Sequence, residues 1–217
     1  MTWDEQQIGP DDQAEVSPLS GGTTSRYAIP YPIATDPVSA GAANMQAIAE
    51  AIDPKLGLVL LATATLPSVA ATVDFTSIPQ TPYTHLRILY TLRTTSAVYA
   101  EVFGYRFNND SGANYNDPAL NRTYIRSHYQ YGIAGASKGG LDFSPGEIVI
   151  QNYANTALWK GAYSIGSAAD NGGDTFQGQG GCAGIWKSAA AINRVTIFVP
   201  SGASFAAGSR AYLYGVL

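Results

Sequence analysis

Charge is what this sequence has least of. Only 13% of its 217 residues are Asp, Glu, Lys or Arg, against roughly 25% in an ordinary soluble domain. The 12 basic and 16 acidic residues leave a net charge of −4. No basic tract occurs, so electrostatic binding to nucleic acid has little drive and no nucleic-acid partner is expected. One cysteine, Cys182, excludes an intrachain disulfide, and stability must come from a core or from oligomerisation. Cys182 stands in the Gly-rich run GQGGCAGIW and reads as a small, semi-buried residue. No apolar run is long enough to span a membrane, so no membrane insertion is expected. The first residues, MTWDEQQIGPDD, are acidic and polar and do not read as a secretory signal.

Catalytic signatures are equally scarce. There are two histidines, His85 and His128, and both fall on predicted polar strand faces. No Walker loop or H-E-x-x-H occurs. Carboxylates at Glu101, Asp110, Asp117, Asp142, Glu147, Asp170 and Asp174 sit mostly in Asn/Gly-rich turns. Asp is favoured there for its own side chain-to-backbone bonds, so a glycosidase pair is not expected. Asp110, or Asp170 with Asp174, could gather oxygens around Ca²⁺, but neither segment has the spacing of an EF-hand loop. No enzyme activity, cofactor or metal is expected.

What is present is Gly, Ser, Thr, Asn and Tyr, with 46% apolar residues, enough for a sizeable core. Three zones divide the chain. Residues 1–26 carry Asp4, Glu5, Asp11, Asp12 and Glu15 and no basic residue before Arg26. They show no helical or strand period and read as an extended acidic arm, either a disordered terminus or an arm ordered by docking on a partner. Residues 27–56 form a Pro-rich linker and a short helix. Asp36 is the predicted N-cap, Pro37 the first helical residue and Pro54 the stop. Val38, Met45, Ile48 and Ile52 make one narrow apolar stripe among alanines. The stripe either packs on its own domain or meets its copies at an oligomer interface. The small residues around it favour the second.

Residues 57–217 have the periodicity of strands. Leu86, Ile88, Tyr90 and Leu92 alternate with His85, Arg87, Thr91 and Arg93. Phe103, Tyr105 and Phe107 share a face, and Ile125, Tyr129, Tyr131 and Ile133 read as another. With LVLLATA, TVDF, IVIQ, RVTIFV and RAYLYGV, eight or nine strands are expected, separated by turn clusters such as NNDSGANYND and FSPGE. Many short strands with Gly-rich turns predict an all-β, antiparallel, jelly-roll-like β-sandwich.

Three segments carry a resemblance. YAIPYPIATDPVSAGAANMQAIAEAID resembles the N-terminal linker and helix of tail-associated proteins of actinobacterial phages. FTSIPQTPYTHLRILYTLR with FNNDSGANY resembles the first strands of the sandwich those proteins carry. WKSAAAINRVTIFVPSGASFAAGSRAYLYGVL resembles its C-terminal strands, with a GS-x-x-x-LYG ending. The resemblance implies a virion protein of minor-tail, tail-fibre or capsid-decoration type, made in the host cytoplasm and carried on the particle. It implies an oligomer, often a trimer, joined to other virion proteins, here through the arm. A tail-associated module for host attachment, a capsid decoration protein and a cell-envelope glycan hydrolase are the three readings, the last disfavoured by the missing constellations.

A host-surface glycan is the conceivable ligand, because sugars present apolar faces and hydroxyls to aromatic platforms beside amides and carboxylates. Asn108, Asn109, Asp110, Asn114 and Tyr115 offer that mixture in one loop, and Trp159, Tyr163 and Trp186 are further platforms. The tryptophans equally suit a core or a subunit interface.

Overall fold

The computed structural model describes residues 57–117, 122–125, 127–168 and 179–217, with short pieces of what precedes them (22–23, 30–31, 43 and 45–48). The chain divides into two compact units, Met1–Leu56 and Gly57–Leu217.

In the first unit, β1 (Gly22–Thr23) pairs antiparallel with β2 (Pro30–Tyr31), Gly22 opposite Tyr31 and Thr23 opposite Pro30. The sequence reads both segments as unpaired extended chain, and this short ladder ties one to the other. Residues 43 and 45–48 are helical. On this helix Met45 is 73% exposed and Ile48 is half-buried. Val38 and Ile52, the other two members of the expected stripe, lie outside the described residues.

The second unit is a β-sandwich. Its strands are β3 (Leu58–Thr65), β4 (Thr72–Phe75), β5 (His85–Leu92), β6 (Ala100–Phe107), β7 (Tyr115–Asp117), β8 (Arg122–Ile125) and β9 (His128–Ala134). They continue with β10 (Ser144–Ile150), β11 (Lys160–Ser167), β12 (Gln179–Trp186), β13 (Val195–Phe198) and β14 (Arg210–Val216). An eight-stranded sheet runs β3-β14-β5-β10-β11-β12-β7-β8, and a four-stranded sheet runs β4-β13-β6-β9. All strand pairings are antiparallel. The first strand of the unit pairs with the last (β3 with β14), the second with the next to last (β4 with β13), then β5 with β10 and β6 with β9. A long hairpin folded back over itself in this way is the jelly roll. The strands β11, β12, β7 and β8 widen one sheet beyond it.

Alternation places the core between the sheets. Leu86, Ile88, Tyr90 and Leu92 of β5 are buried, and so are Phe103, Tyr105 and Phe107 of β6. Ile148 and Ile150 of β10, Val195 and Ile197 of β13, and Ala211 and Leu213 of β14 complete the inner faces. Tyr90 meets Phe103 edge to face, with ring centroids 5.2 Å apart, an arrangement the ring quadrupoles favour.

Three strand expectations change. The run Ile125–Ile133 is two strands in different sheets. Within β9 the register to β6 shifts between Glu101 and Val102, beside Gly132 at φ 95°. The shift breaks the period of two, so His128 and Ile133 are both buried although they stand five positions apart. His128 is therefore a core residue and not the polar-face residue its spacing implies. Arg93, expected on the polar face with Arg87, is buried just beyond the end of β5. Its guanidinium donates to the carbonyls of Ala136 (3.3 Å), Lys138 (2.9 Å) and Gly139 (2.6 Å), which satisfies the charge it carries inward.

Candidate functional site

Two places hold the residues that the sequence nominates. The first is the β6–β7 loop. Asn108 and Asn109 adopt left-handed backbone, at φ 51° and 57°, a conformation Asn tolerates better than most residues. This turn directs the Asn108 amide toward the β12–β13 connection. Its Oδ1 accepts from the N–H groups of Asn193 (2.9 Å) and Arg194 (3.2 Å), and its Nδ2 donates to Ala191 O (2.8 Å). The Asp110 carboxylate accepts from Gly112 N (2.8 Å), Asn114 Nδ2 (2.9 Å) and the Trp186 indole N–H (2.6 Å). Burial pushes the Asp110 carboxyl up. The bonds from Trp186, Asn114 and Gly112, with the charge of Arg106, outweigh that and hold it below the usual carboxylate range.

The Tyr115 hydroxyl accepts from Phe107 N at 3.0 Å and donates to Asp110 O at 3.2 Å. Its ring is buried beside those of Phe107, Trp186 and His128. The structure thus brings Asn108, Asp110, Asn114, Tyr115 and Trp186 together in one hydrogen-bonded cluster. The cluster is a clamp that fixes one end of the sandwich. Tyr115 and Trp186 are core residues, not platforms for a ligand. Asn109 is exposed at the turn.

His128 stands in the middle of this aromatic core. Its ring lies 5.0 Å from Tyr105, 5.7 Å from Phe107 and 5.1 Å from Tyr115, centroid to centroid. Neither ring nitrogen has a hydrogen-bond partner among the described residues. Burial pushes its pKa down to about 3, so the imidazole is neutral at physiological pH.

The second place is the outer face of the eight-stranded sheet. Of the four predicted platforms, Trp159 and Tyr163 are exposed, Trp159 by 60%. Trp159 precedes β11, and Tyr163 lies on it. The registers put Leu60, Tyr214, Arg87, Val149, Tyr163 and Ala183 in one row across six strands. Thr63, Tyr212, Leu89, Glu147, Ile165 and Gly181 form the next row. Leu60 is 53% exposed and Ile165 59%, and Leu58 and Ile185 are exposed as well. Sequence reasoning recognised β3, β5 and β14 as strands but could not place them side by side. The exposed apolar positions of separate strands therefore did not show as one surface.

At the centre of the face Arg87 Nη2 donates to Glu147 Oε2 at 2.6 Å. The pair flanks a shallow depression of about 340 Å³, also lined by Gly57, Leu58, His85, Val149, Tyr163 and Val216. His85 Nδ1 accepts from Asn152 N at 3.0 Å. Chemically the depression offers an aromatic ring, an apolar floor and a neutralised ion pair. Glu147 is its only carboxylate among the described residues, whereas glycoside hydrolysis uses two. Among the described residues no group of three or more His, Cys, Asp or Glu side chains is placed to hold a metal ion, and no helix is long and apolar enough to cross a membrane.

Neither a scan against protein-family models nor a search of curated proteins finds a match to this chain.

Proposed function

We propose that this chain is a non-enzymatic structural component of a bacteriophage particle, a tail-associated, fibre-like or receptor-binding module held by its N-terminal arm. The observation that carries this reading is the outer face of the eight-stranded sheet. It exposes Leu60, Tyr163, Ile165 and Ile185 around the paired Arg87 and Glu147, with Arg210 toward one end. Apolar side chains gathered on one exposed sheet face suit a surface that a partner covers. The resemblance of three segments, in order and spacing, to tail-associated phage proteins adds to it. The low overall charge suits a chain that works packed among other virion chains. The closed clamp at residues 108–115 lends rigidity to a module that projects from a particle.

Arm deletion tests the reading. A chain lacking residues 1–26 folds and assembles as the full chain does but no longer joins particles when supplied in place of the full chain. Normal incorporation of the truncated chain contradicts attachment through the arm. Recovery of the chain on the capsid lattice and not on the tail makes it a decoration protein. Hydrolysis of host envelope by the purified chain contradicts the non-enzymatic reading.

A further inference from the structure

We infer that Trp159 and Tyr163, with the surface between them, form a binding strip for a neutral oligosaccharide. The inference rests on the reading of the chain as a receptor-binding module, and it names the ligand class and the place where it binds. Strand alternation lays out the strip. Lys160, Ala162 and Ser164 of β11 are buried, so Trp159, Gly161 and Tyr163 take the outward side. Trp159 and Tyr163 are exposed by 60% and 41%. Four residues of extended chain set them about 13 Å apart, the span of a short oligosaccharide and more than a single sugar ring fills.

Between the two rings a side chain is missing. Gly161 leaves a gap, and the amide of Gln151, just after β10, borders it. A Cβ on Gly161 would have only Gln151 Oε1 as its neighbour, at 3.6 Å. Gln151 is exposed, and its N–H donates to Gly161 O at 2.9 Å, which continues the β10–β11 ladder and keeps the two residues side by side. Beside Tyr163 lies the depression of about 340 Å³ with the Arg87–Glu147 pair. That pair is joined through Arg87 Nη2 and Glu147 Oε2, and Nη1 and Oε1 make no other hydrogen bond among the described residues. It can therefore donate to one hydroxyl and accept from another. Two aromatic rings with an amide between them and an ion pair beside them match a saccharide, which stacks its C–H faces on rings and bonds its hydroxyls to polar groups.

The turn that carries Trp159 is built to hold still. Asn155 Oδ1 accepts from Ala157 N (2.7 Å) and Leu158 N (3.1 Å). Lys160 is fully buried, and its ammonium donates to the carbonyls of Asn155, Leu158 (2.7 Å) and Ala189 (3.4 Å). The indole thus stands on a fixed base, and little ordering is lost when a ligand stacks on it.

Charge narrows the ligand class. Arg87 is neutralised by Glu147. Arg210, which has no ion-pair partner among the described residues, stands three strands across from Tyr163 and four residues along β14, away from the strip. The strip itself carries no net charge, so an acidic sugar gains nothing there over a neutral one.

The test uses the purified full-length chain on a printed array of neutral and uronic-acid oligosaccharides of increasing length, followed by titration calorimetry with the best neutral one. Neutral oligosaccharides bind, and longer ones bind more tightly than the monosaccharide. Trp159→Ala and Tyr163→Ala each weaken binding by about tenfold or more, whereas Tyr163→Phe, which keeps the ring, stays within about threefold of the wild type. Gly161→Leu fills the gap and weakens binding as strongly, with an unchanged far-UV spectrum, because its Cβ meets no backbone. Asn109→Ala, at the exposed turn of the β6–β7 loop, binds as the wild type does. An array on which no sugar binds overturns the inference. So does a preference for uronic-acid sugars, or binding that Trp159→Ala and Tyr163→Ala leave unchanged. Binding is read without any particle, so a chain that binds sugars but is absent from particles fails the virion reading alone. A chain that joins particles but binds no sugar fails this inference alone.

Discussion

At the scale of single residues, His128 and Asp110 show opposite ways of placing a polar group inside the sandwich. His128 is kept neutral by desolvation and has no hydrogen-bond partner among the described residues. In the unfolded chain its pKa is near the ordinary 6.5, and in the folded chain about 3. Between those values the unfolded state binds the extra proton. The stability is then fully present above pH 6.5 and is lost as pH falls toward 3, at up to about 1.4 kcal/mol per pH unit. His128→Leu removes two unsatisfied nitrogens, so its stability at pH 7 equals or exceeds that of the wild type. Its urea midpoint also falls less between pH 6.5 and pH 4. A steeper fall in the variant would contradict a neutral, desolvated histidine. Asp110 is fully employed instead. Asp110→Ala leaves the Trp186 indole N–H, Gly112 N and Asn114 Nδ2 without their acceptor, a loss of about 1–3 kcal/mol in denaturant unfolding.

At the scale of elements, legibility followed side-chain size. Strands β5 and β6 were readable because large apolar residues alternate cleanly, Leu86 to Leu92 and Phe103 to Phe107. Strands β11 and β12, KGAYSIGS and QGGCAGIW, were not, because their inner positions are small apart from Lys160 and Trp186 at one end. The inner face of β11 carries Lys160, Ala162, Ser164 and Gly166, and that of β12 carries Cys182, Gly184 and Trp186. The reason lies in neighbouring elements. The Tyr90 side chain reaches sideways over β10 and β11, and its hydroxyl donates to Ile165 O at 3.3 Å. A Cβ on Gly146 would come within 2.1 Å of that hydroxyl, and one on Gly166 within 2.3 Å. Gly146→Ala therefore destabilises by about 1–3 kcal/mol through overpacking. Gly161→Ala in the same sheet, whose nearest neighbour would be Gln151 Oε1 at 3.6 Å, is tolerated. Equal urea midpoints for the two variants would contradict this packing. The turn residues were readable as turns, but that the Asn108 amide closes on residues 191–194 is a fact of topology that local spacing cannot carry.

At the scale of the whole molecule, composition gave the class and not the site. Low charge, many tyrosines and Gly-rich turns led to an all-β sandwich, and the sandwich is there, with the jelly-roll pairing of first strand with last. The expected loop site resolved into a structural clamp, since Tyr115 and Trp186 are buried. The outer face of the large sheet assembles from β3, β14, β5, β10, β11 and β12, segments spread over nearly the whole of the second unit. Its residues become neighbours only when the sheet order is known. The central claim, the proposal that this chain is built into a phage particle through its arm, is tested most directly by a reconstruction of the intact particle with the chain traced in it. The expected map shows the sandwich on the tail, with residues 1–26 running into the neighbouring virion protein. A particle that carries no density for the chain would contradict the claim.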